Sequence, residues 1–239
     1  MKLKNTFTAI AIFISVSLNA QNGINNYDLL KSELDTISKQ KLNISSVALN
    51  QNNNWIILYG DIGYSFVTMP QKLAQRLDTL NKKKKTIKDI DFVNKNAWVL
   101  LSEQNAFYSD SLPSKFLSYL KKINQKAEEI KAISVYKENS GAILFGRCYY
   151  FEENIKASAK TKLDNLRGRW QDVKSIAFTN EGGWVVFYAD RGYAYYNIPV
   201  AMTRKIKELV QNGSSLSKVF FLKDKWIIIY DNYKVASNL

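Results

Sequence analysis

The sequence predicts an α/β repeat protein of five βββα units, closed into a ring in which the N-terminal helix completes the C-terminal unit. Three observations carry this reading. Ile44, Ile87, Ile130, Val173 and Leu216 fall 43 residues apart, four times in succession. Eleven residues after the first, second and fourth of them stand Trp55, Trp98 and Trp184; Gly141 takes that place in the third unit, and Trp226 comes one residue early in the fifth. Offset 20 carries Tyr64, Phe107, Tyr150 and Tyr193, and offset 26 carries Pro70, Pro113 and Pro199, with Lys156 in the divergent third unit. Several residue classes recurring in one phase mark a repeat architecture.

Within a unit the first strand, as in VKSIAFT (Val173 to Thr179), puts Ile176 and Phe178 on one face. The matching pairs are Val47 with Leu49, Ile90 with Phe92, Ile133 with Val135, and Val219 with Phe221. This alternation predicts a half-buried strand. The second strand reads WIILYG, WVLLSE, AILFGR, WVVFYA and WIIIYD, an apolar run that predicts cover on both faces. The third is short and aromatic, GYSFV, AFYSD, YYFEE and GYAYY, after a polar turn such as Asp190-Arg191-Gly192. The helix starts near the proline, which the first helical turn tolerates, and Thr68, Ser111, Asn154 and Asn197 two residues earlier are N-cap types. Leu73, Leu77 and Leu80 then trace a buried stripe, as do Phe116, Leu120 and Ile123, and Met202, Ile206 and Leu209.

The helix NYDLLKSELDTISKQ precedes the first strand with Leu30, Leu34 and Ile37 in the repeat phase, and the last unit has strands without a helix. Residues 21–239 are therefore read as one five-repeat domain, with units 44–86, 87–129, 130–172, 173–215 and 216–239, the last completed by helix 26–43. Closure removes exposed sheet edges. The alternative, an open α/β solenoid, needs polar capping repeats that the sequence does not show.

Cut one strand later, the unit becomes strand, strand, helix, strand. Five of these about an axis resemble the pentein propeller of the arginine deiminase and amidinotransferase families, in topology and repeat number but not in motif. Catalytic penteins use a cysteine nucleophile with a histidine and acidic partners. This chain has no histidine, and its single cysteine, Cys148, lies in FGRCYYF, read as a buried strand, so no catalytic residue carries over. The GGWVV…GY…IP unit (Gly182 to Pro199) also resembles the tandem repeats of uncharacterised exported bacterial proteins, which implies architecture and no activity.

Composition narrows the chemistry. Without histidine and with one cysteine, the commonest nucleophile–base pairs, internal disulfides and His/Cys zinc sites are excluded. No Gly-rich phosphate loop is present, and neither metal nor cofactor is expected. Residues 1–20, MKLKNTFTAIAIFISVSLNA, read as a secretory signal peptide cleaved before Gln21. No cysteine stands there for a lipid anchor, and no later segment approaches the roughly twenty apolar residues of a membrane span. The protein is thus expected in the periplasm or outside the cell, without a lipid anchor. Loss of Lys2 and Lys4 leaves 32 basic and 21 acidic residues, a net charge of +11.

Candidate binding residues follow from the repeat. Tyr64, Phe107, Tyr150 and Tyr193 would form shallow sugar platforms if exposed on one rim or about the axis; packing beneath the helices is the commoner role of such aromatics. Trp55, Trp98, Trp184 and Trp226 open the most buried strand, so core packing is expected, with indole N–H groups able to reach a loop or a ligand. Lys82, Lys83, Lys84, Lys85, Lys121, Lys122, Arg167, Arg169, Arg204 and Lys205 cluster on or after helices, a rim that attracts anionic polymers. No nucleic-acid motif accompanies them. Asp61, Glu103, Asp190 and Asp231 follow the second strand and read as turn formers; Glu128 with Glu129 and Glu152 with Glu153 read as solvent-facing pairs. The function expected is an exported non-enzymatic binding or interaction module for glycan or another envelope polymer. The alternatives are a carboxylate-dependent glycoside hydrolase and a scaffold whose basic rim contacts anionic polymers.

Overall fold

The computed structural model describes residues 25–94, 96–137 and 139–239; the signal peptide expected at 1–20 lies outside them. Helix α1 (Asn26–Lys39) leads into a first sheet of β1 (Ile44–Leu49), β2 (Trp55–Tyr59) and β3 (Gly63–Phe66). After α2 (Gln71–Lys82) come β4 (Ile87–Phe92), β5 (Trp98–Ser102) and β6 (Ala106–Asp110). Next are α3 (Ser114–Gln125) with β7 (Ile130–Lys137), β8 (Ser140–Phe145) and β9 (Tyr149–Glu153). Then α4 (Ala157–Gly168) precedes β10 (Val173–Phe178), β11 (Trp184–Tyr188) and β12 (Gly192–Tyr196). Last, α5 (Val200–Gln211) precedes β13 (Leu216–Leu222), β14 (Lys225–Tyr230) and β15 (Lys234–Ser237). Every sheet is three-stranded and antiparallel in sequence order, and every first strand begins on the residue of the 43-residue spacing.

The helices begin differently from the sequence expectation. Pro70, Pro113, Lys156 and Pro199 are themselves the N-caps, with extended backbone and no side-chain cap. Thr68, Ser111, Asn154 and Asn197 therefore do not cap; they lie two residues too early. Ser111, Asn154 and Asn197 instead take left-handed backbone, φ 55°, 49° and 48°, which turns the chain out of the third strand. Proline contributes a preset φ and a carbonyl that accepts from Leu73 and Ala74 N–H in α2. At the other end Lys41, Lys84, Ala127, Trp170 and Gly213 all have positive φ. The next N–H then reaches back to Ile37, Leu80, Ile123, Leu166 or Leu209, a Schellman closure whose left-handed position only Gly213 fills without steric cost.

No unit buries its own apolar faces. The α2 stripe, Leu73, Leu77 and Leu80, packs on Ala48, Ile56 and Leu58 of the first sheet and on Ile87, Ile90, Phe92, Trp98 and Leu100 of the second. Helices α3, α4 and α5 wedge likewise between the sheets before and after them. Leu30, Leu34 and Ile37 of α1 pack on Leu222, Ile227 and Ile229 of the fifth sheet and on Ile44, Val47, Trp55 and Ile57 of the first. Middle strands are thus covered on both faces, as their apolar runs require. First strands hold the expected face pairs, but they are not half-buried: Ala48 and Ala177 pack into the following unit's cluster. The face expected to meet solvent meets a neighbour.

The first strands pack against each other, β1 on β4, β4 on β7, β7 on β10, β10 on β13, and β13 on β1, yet they do not join into one sheet. Each has a bulge at its second residue, so the third residue turns toward the next unit. There its side chain accepts from the neighbour's edge N–H: Ser46 Oγ from Ile90 (3.3 Å), Asp89 Oδ2 from Ile133 (2.9 Å), and Ser175 Oγ from Val219 (3.2 Å). The equivalent Ala132 and Lys218 have no acceptor to offer. A second set of bonds at 2.7–2.9 Å runs from Ile87 N–H to Asp61, Ile130 to Gln104, Leu216 to Asp190 and Ile44 to Asn232, each to the backbone carbonyl.

Ser175→Ala removes the side-chain acceptor of Val219 N–H inside a buried junction. Urea titration is expected to show a loss of about 1–3 kcal/mol with an unchanged m-value.

Candidate functional site

Tyr64, Phe107, Tyr150 and Tyr193 are half-buried on the third strands, packed against the helix clusters. Tyr150 donates its OH to Asp164 Oδ1 of α4 (2.7 Å), and Arg167 lies over its ring. Burial and the Asp164 charge push the Tyr150 phenol well above its usual range. Because the first strands occupy the centre, these third-strand rings lie away from it. The four tryptophans of the repeat are buried, 3–5% exposed. Trp55 Nε1 donates to Asn26 O (2.9 Å) and Trp184 Nε1 to Ser158 Oγ (3.0 Å), each at the start of the helix before it. Trp98 and Trp226 have buried indole N–H groups without a partner, since the helix residues equivalent to Ser158 are Lys72 and Ala201.

The basic residues spread over separate units. Lys82 pairs with Asp78, Lys85 with Glu103, Arg167 with Asp164 and Lys205 with Glu208. Lys83, Lys84, Lys121, Lys122, Arg169 and Arg204 are exposed. The turn carboxylates also have local work. Glu103 accepts from Thr86 N–H and is held below the usual carboxylate range first by the Lys85 hydrogen bond; Asp231 accepts from Ser215 N–H, Asp190 pairs with Lys174, and Asp61 serves through its carbonyl. The glutamate pairs are engaged likewise, Glu129 by Lys88, Glu152 by Lys160 and Glu153 by Lys115. Cys148 is buried, but in the turn between β8 and β9 rather than in a strand. Among the described residues no three His, Cys, Asp or Glu side chains gather closely enough to hold a metal ion, and no helix is long and apolar enough to cross a membrane.

The feature that the sequence reading missed lies between the five first strands. Their C-terminal ends line a cavity of about 220 Å³, their N-terminal ends one of about 300 Å³, and Lys218 borders both. The second cavity carries Lys88, Lys131 and Lys174, each tied to an acidic partner, Glu129, Asp172 or Asp190. The first carries Asp89 and Asp91, two residues apart on β4 and therefore on one side of it. Asp89 is 4% exposed and fully engaged: Oδ1 accepts from Ser46 Oγ (2.6 Å) and Ile90 N–H (3.0 Å), Oδ2 from Ile133 N–H. Burial raises its pKa, and the Lys218 charge opposes the rise. Asp91 accepts from Val135 N–H (2.6 Å) and Phe92 N–H (2.8 Å) at the cavity wall, and burial, aided by the Asp89 charge, pushes its pKa up to about 8. Around it stand the amides Asn50, Asn94 and Asn180 and the rings of Tyr136, Phe178 and Phe220; Tyr136 stacks on Phe178 at 4.9 Å. The available signal was the third residue of each first strand, Ser46, Asp89, Ala132, Ser175 and Lys218, where polarity interrupts an apolar element.

No protein-family model matches the chain, and no curated protein matches it. Among solved structures it is similar to the extracellular domain of a hybrid two-component system from B. thetaiotaomicron, at 12% identity and TM-score 0.38, over 82% of this chain and 27% of that one. It is also similar to YCF48 from Cyanidioschyzon merolae, at 9% identity and TM-score 0.35, over 79% of this chain and 62% of that one. A third similarity is to virginiamycin B lyase from Staphylococcus aureus, at 6% identity and TM-score 0.35, over 84% and 85% of the two chains. The chain thus spans less than two thirds of the first two.

Asp91 binds its proton more tightly folded, at about 8, than at its usual 3.8. Its contribution to stability is therefore present below about pH 4 and is lost as pH rises toward about 8. The parent should lose stability as pH is raised through that window, whereas Asp91→Asn, which cannot ionise but gives up one of the two acceptor oxygens, should start lower at acid pH and show no such decline. Separately, Ala201→Ser supplies Trp226 Nε1 with the acceptor that Ser158 gives Trp184; a gain of about 1 kcal/mol is expected in thermal or urea unfolding.

Proposed function

We propose that the chain is an exported, non-enzymatic binding module, a five-unit propeller-like ring closed by α1, that takes one sugar-sized group of a glycan into the cavity at the C-terminal ends of its first strands. The observation carrying this is the cavity wall itself. It combines a carboxyl group held largely protonated near neutral pH, four amides (Asn50, Gln51, Asn94 and Asn180), several aromatic rings and, at its borders, Lys218 and Lys223. Such a mixture of apolar walls and a few directed polar groups suits an uncharged polyhydroxylated ring. The volume, about 220 Å³, corresponds to about seven waters at ~30 Å³ each, which matches one pyranose.

Closure is supported by the junction between the fifth and first units. It follows the rules of the others: a helix stripe wedged between two sheets, a backbone bond from Ile44 N–H to Asn232, and packing of β13 on β1. Lys223 Nζ adds bonds to Gln51 O (3.2 Å) and Asn53 Oδ1 (2.5 Å). The non-enzymatic reading is supported by the engagement of Asp89, whose Oδ1 accepts from Ser46 Oγ and Ile90 N–H and whose Oδ2 accepts from Ile133 N–H. Two-carboxylate glycoside hydrolysis needs carboxyl groups free to act, and Asp91 too spends both oxygens on backbone donors, Oδ1 on Phe92 N–H and Oδ2 on Val135 N–H.

Calorimetric titration against neutral oligosaccharides tests the site. Tyr136→Ala and Asp91→Ala should each weaken binding about tenfold, the loss of roughly 1.4 kcal/mol, while Tyr64→Ala and Tyr193→Ala should not. The reverse pattern would move the site to the third-strand aromatics. Deleting Asn26–Lys39 tests the ring: the fifth and first sheets should lose hydrogen-exchange protection together. Protection retained in β13–β15 with loss confined to the first unit would favour the open solenoid.

A further inference from the structure

The third unit departs from the repeat on its outer surface as well as in its core. The third strand begins with Gly63, Ala106, Gly192 or Lys234 in the other units but with Tyr149 here. The left-handed residue after the helix is Lys41, Lys84, Ala127 or Gly213 elsewhere but Trp170 here, with φ 54°. These two replacements meet: the rings of Tyr149 and Trp170 lie edge to face, 6.4 Å apart at 81°. Both are exposed, by 43% and 59%, whereas the other four tryptophans are buried. Beneath them Phe145 stacks on Tyr149 at 5.9 Å, and Tyr119 continues the ladder inward.

Two costs are visible at Trp170. A bulky side chain occupies backbone that favours glycine, and a large apolar surface faces water. Neither is offset by burial. The left-handed backbone is common to the repeat, filled by Lys41, Lys84 and Ala127 in other units, so the exposed indole is what sets this unit apart. Charge near the pair is mixed: Glu128 approaches the Gly146 turn beside Tyr149, and two arginines adjoin the rings in sequence. Arg147 and Arg169, the near neighbours in the chain, are both exposed, and guanidinium groups bind carboxylates in bidentate fashion. Two rings at right angles offer one face and one edge, a corner for the apolar face of a pyranose; single-stranded nucleic acid wants successive parallel faces.

We infer that Tyr149 and Trp170, flanked by Arg147 and Arg169, form a rim site for an acidic polysaccharide, with a uronic acid ring on Trp170 and its carboxylate on an arginine. This site is independent of the central cavity.

The test uses oligogalacturonate, dextran oligomers and oligo-dT as probes, read by tryptophan emission, to which Trp170 contributes the solvent-exposed component. Oligogalacturonate should shift that emission to the blue, and Trp170→Ala should weaken binding about tenfold or more by calorimetry. Arg147→Gln with Arg169→Gln should weaken it similarly and flatten its salt dependence. Trp170→Gly should lose binding and melt higher than the parent, because glycine relieves the left-handed strain. The inference is overturned if dextran binds as well as oligogalacturonate, if oligo-dT binds more tightly, if Trp170→Ala retains full affinity, or if Trp170→Gly melts lower, which would make the ring a structural support.

Discussion

Everything in this fold depends on one constraint: a βββα unit has more apolar surface than it can cover alone. Its sheet is apolar on both faces and its single helix can cover only one. Leu77 illustrates the solution, lying on the α2 stripe between the first and second sheets and fully buried by both. At about 1.5–3 kcal/mol for each such side chain, most of the favourable free energy crosses unit boundaries rather than staying within them. Stability is therefore shared, and individual units can drift. The third unit has lost the tryptophan, replaced by Gly141, and the proline, replaced by Lys156, yet its helix still buries Ala159, Leu163 and Leu166.

The five first strands create a second demand where they meet. The inner edge of each sheet presents N–H groups that its own ladder cannot satisfy, and a bare edge is costly. At three junctions the bulge in the first strand meets this by turning a side-chain acceptor toward the next edge. Serine is sufficient at two junctions, and aspartate performs the same task at a third. Aspartate brings a charge with it, however, and Asp91 two residues on adds another beside it. Their proximity, with burial, raises the Asp91 pKa to about 8, and Lys218 from the fifth unit partly compensates Asp89. The polarity of the cavity is thus a by-product of joining strands.

The architecture was legible because it rests on periodicity. The 43-residue spacing located the first strands, and the face pairs such as Ile176 with Phe178 share a cluster as read. What periodicity could not convey was what lies opposite each face. The first strands looked half-buried because alanine, at Ala48 and Ala177, is a weak hydrophobic signal, and it is small because a neighbour comes close. The N-caps were misassigned because Ser111, Asn154 and Asn197 are equally at home in left-handed turns, and only the backbone distinguishes the two uses. Asp89 and Asp91 were passed over because the search for acids followed the turns, where aspartate is common, and not the strands, where it is rare.

Residues that keep the repeat phase are accounted for by packing, and the same holds for Tyr64, Phe107, Tyr150 and Tyr193. They recur because every unit needs a ring against its helix. A binding site on a repeat protein of this kind has the opposite signature, since a ligand breaks the equivalence of units. Two places answer to that description. Between the first strands, Asp89 and Lys218 stand where other units carry serine or alanine, and Asp91 where they carry alanine, serine or phenylalanine; on the outer surface, Tyr149 and Trp170 stand where glycine, alanine or lysine suffices. Each violates a local rule, a charge in a buried strand or large aromatic rings left exposed, and such violations persist where something other than folding maintains them. In this chain the repeat specifies the scaffold, and chemistry is to be sought in the departures from it.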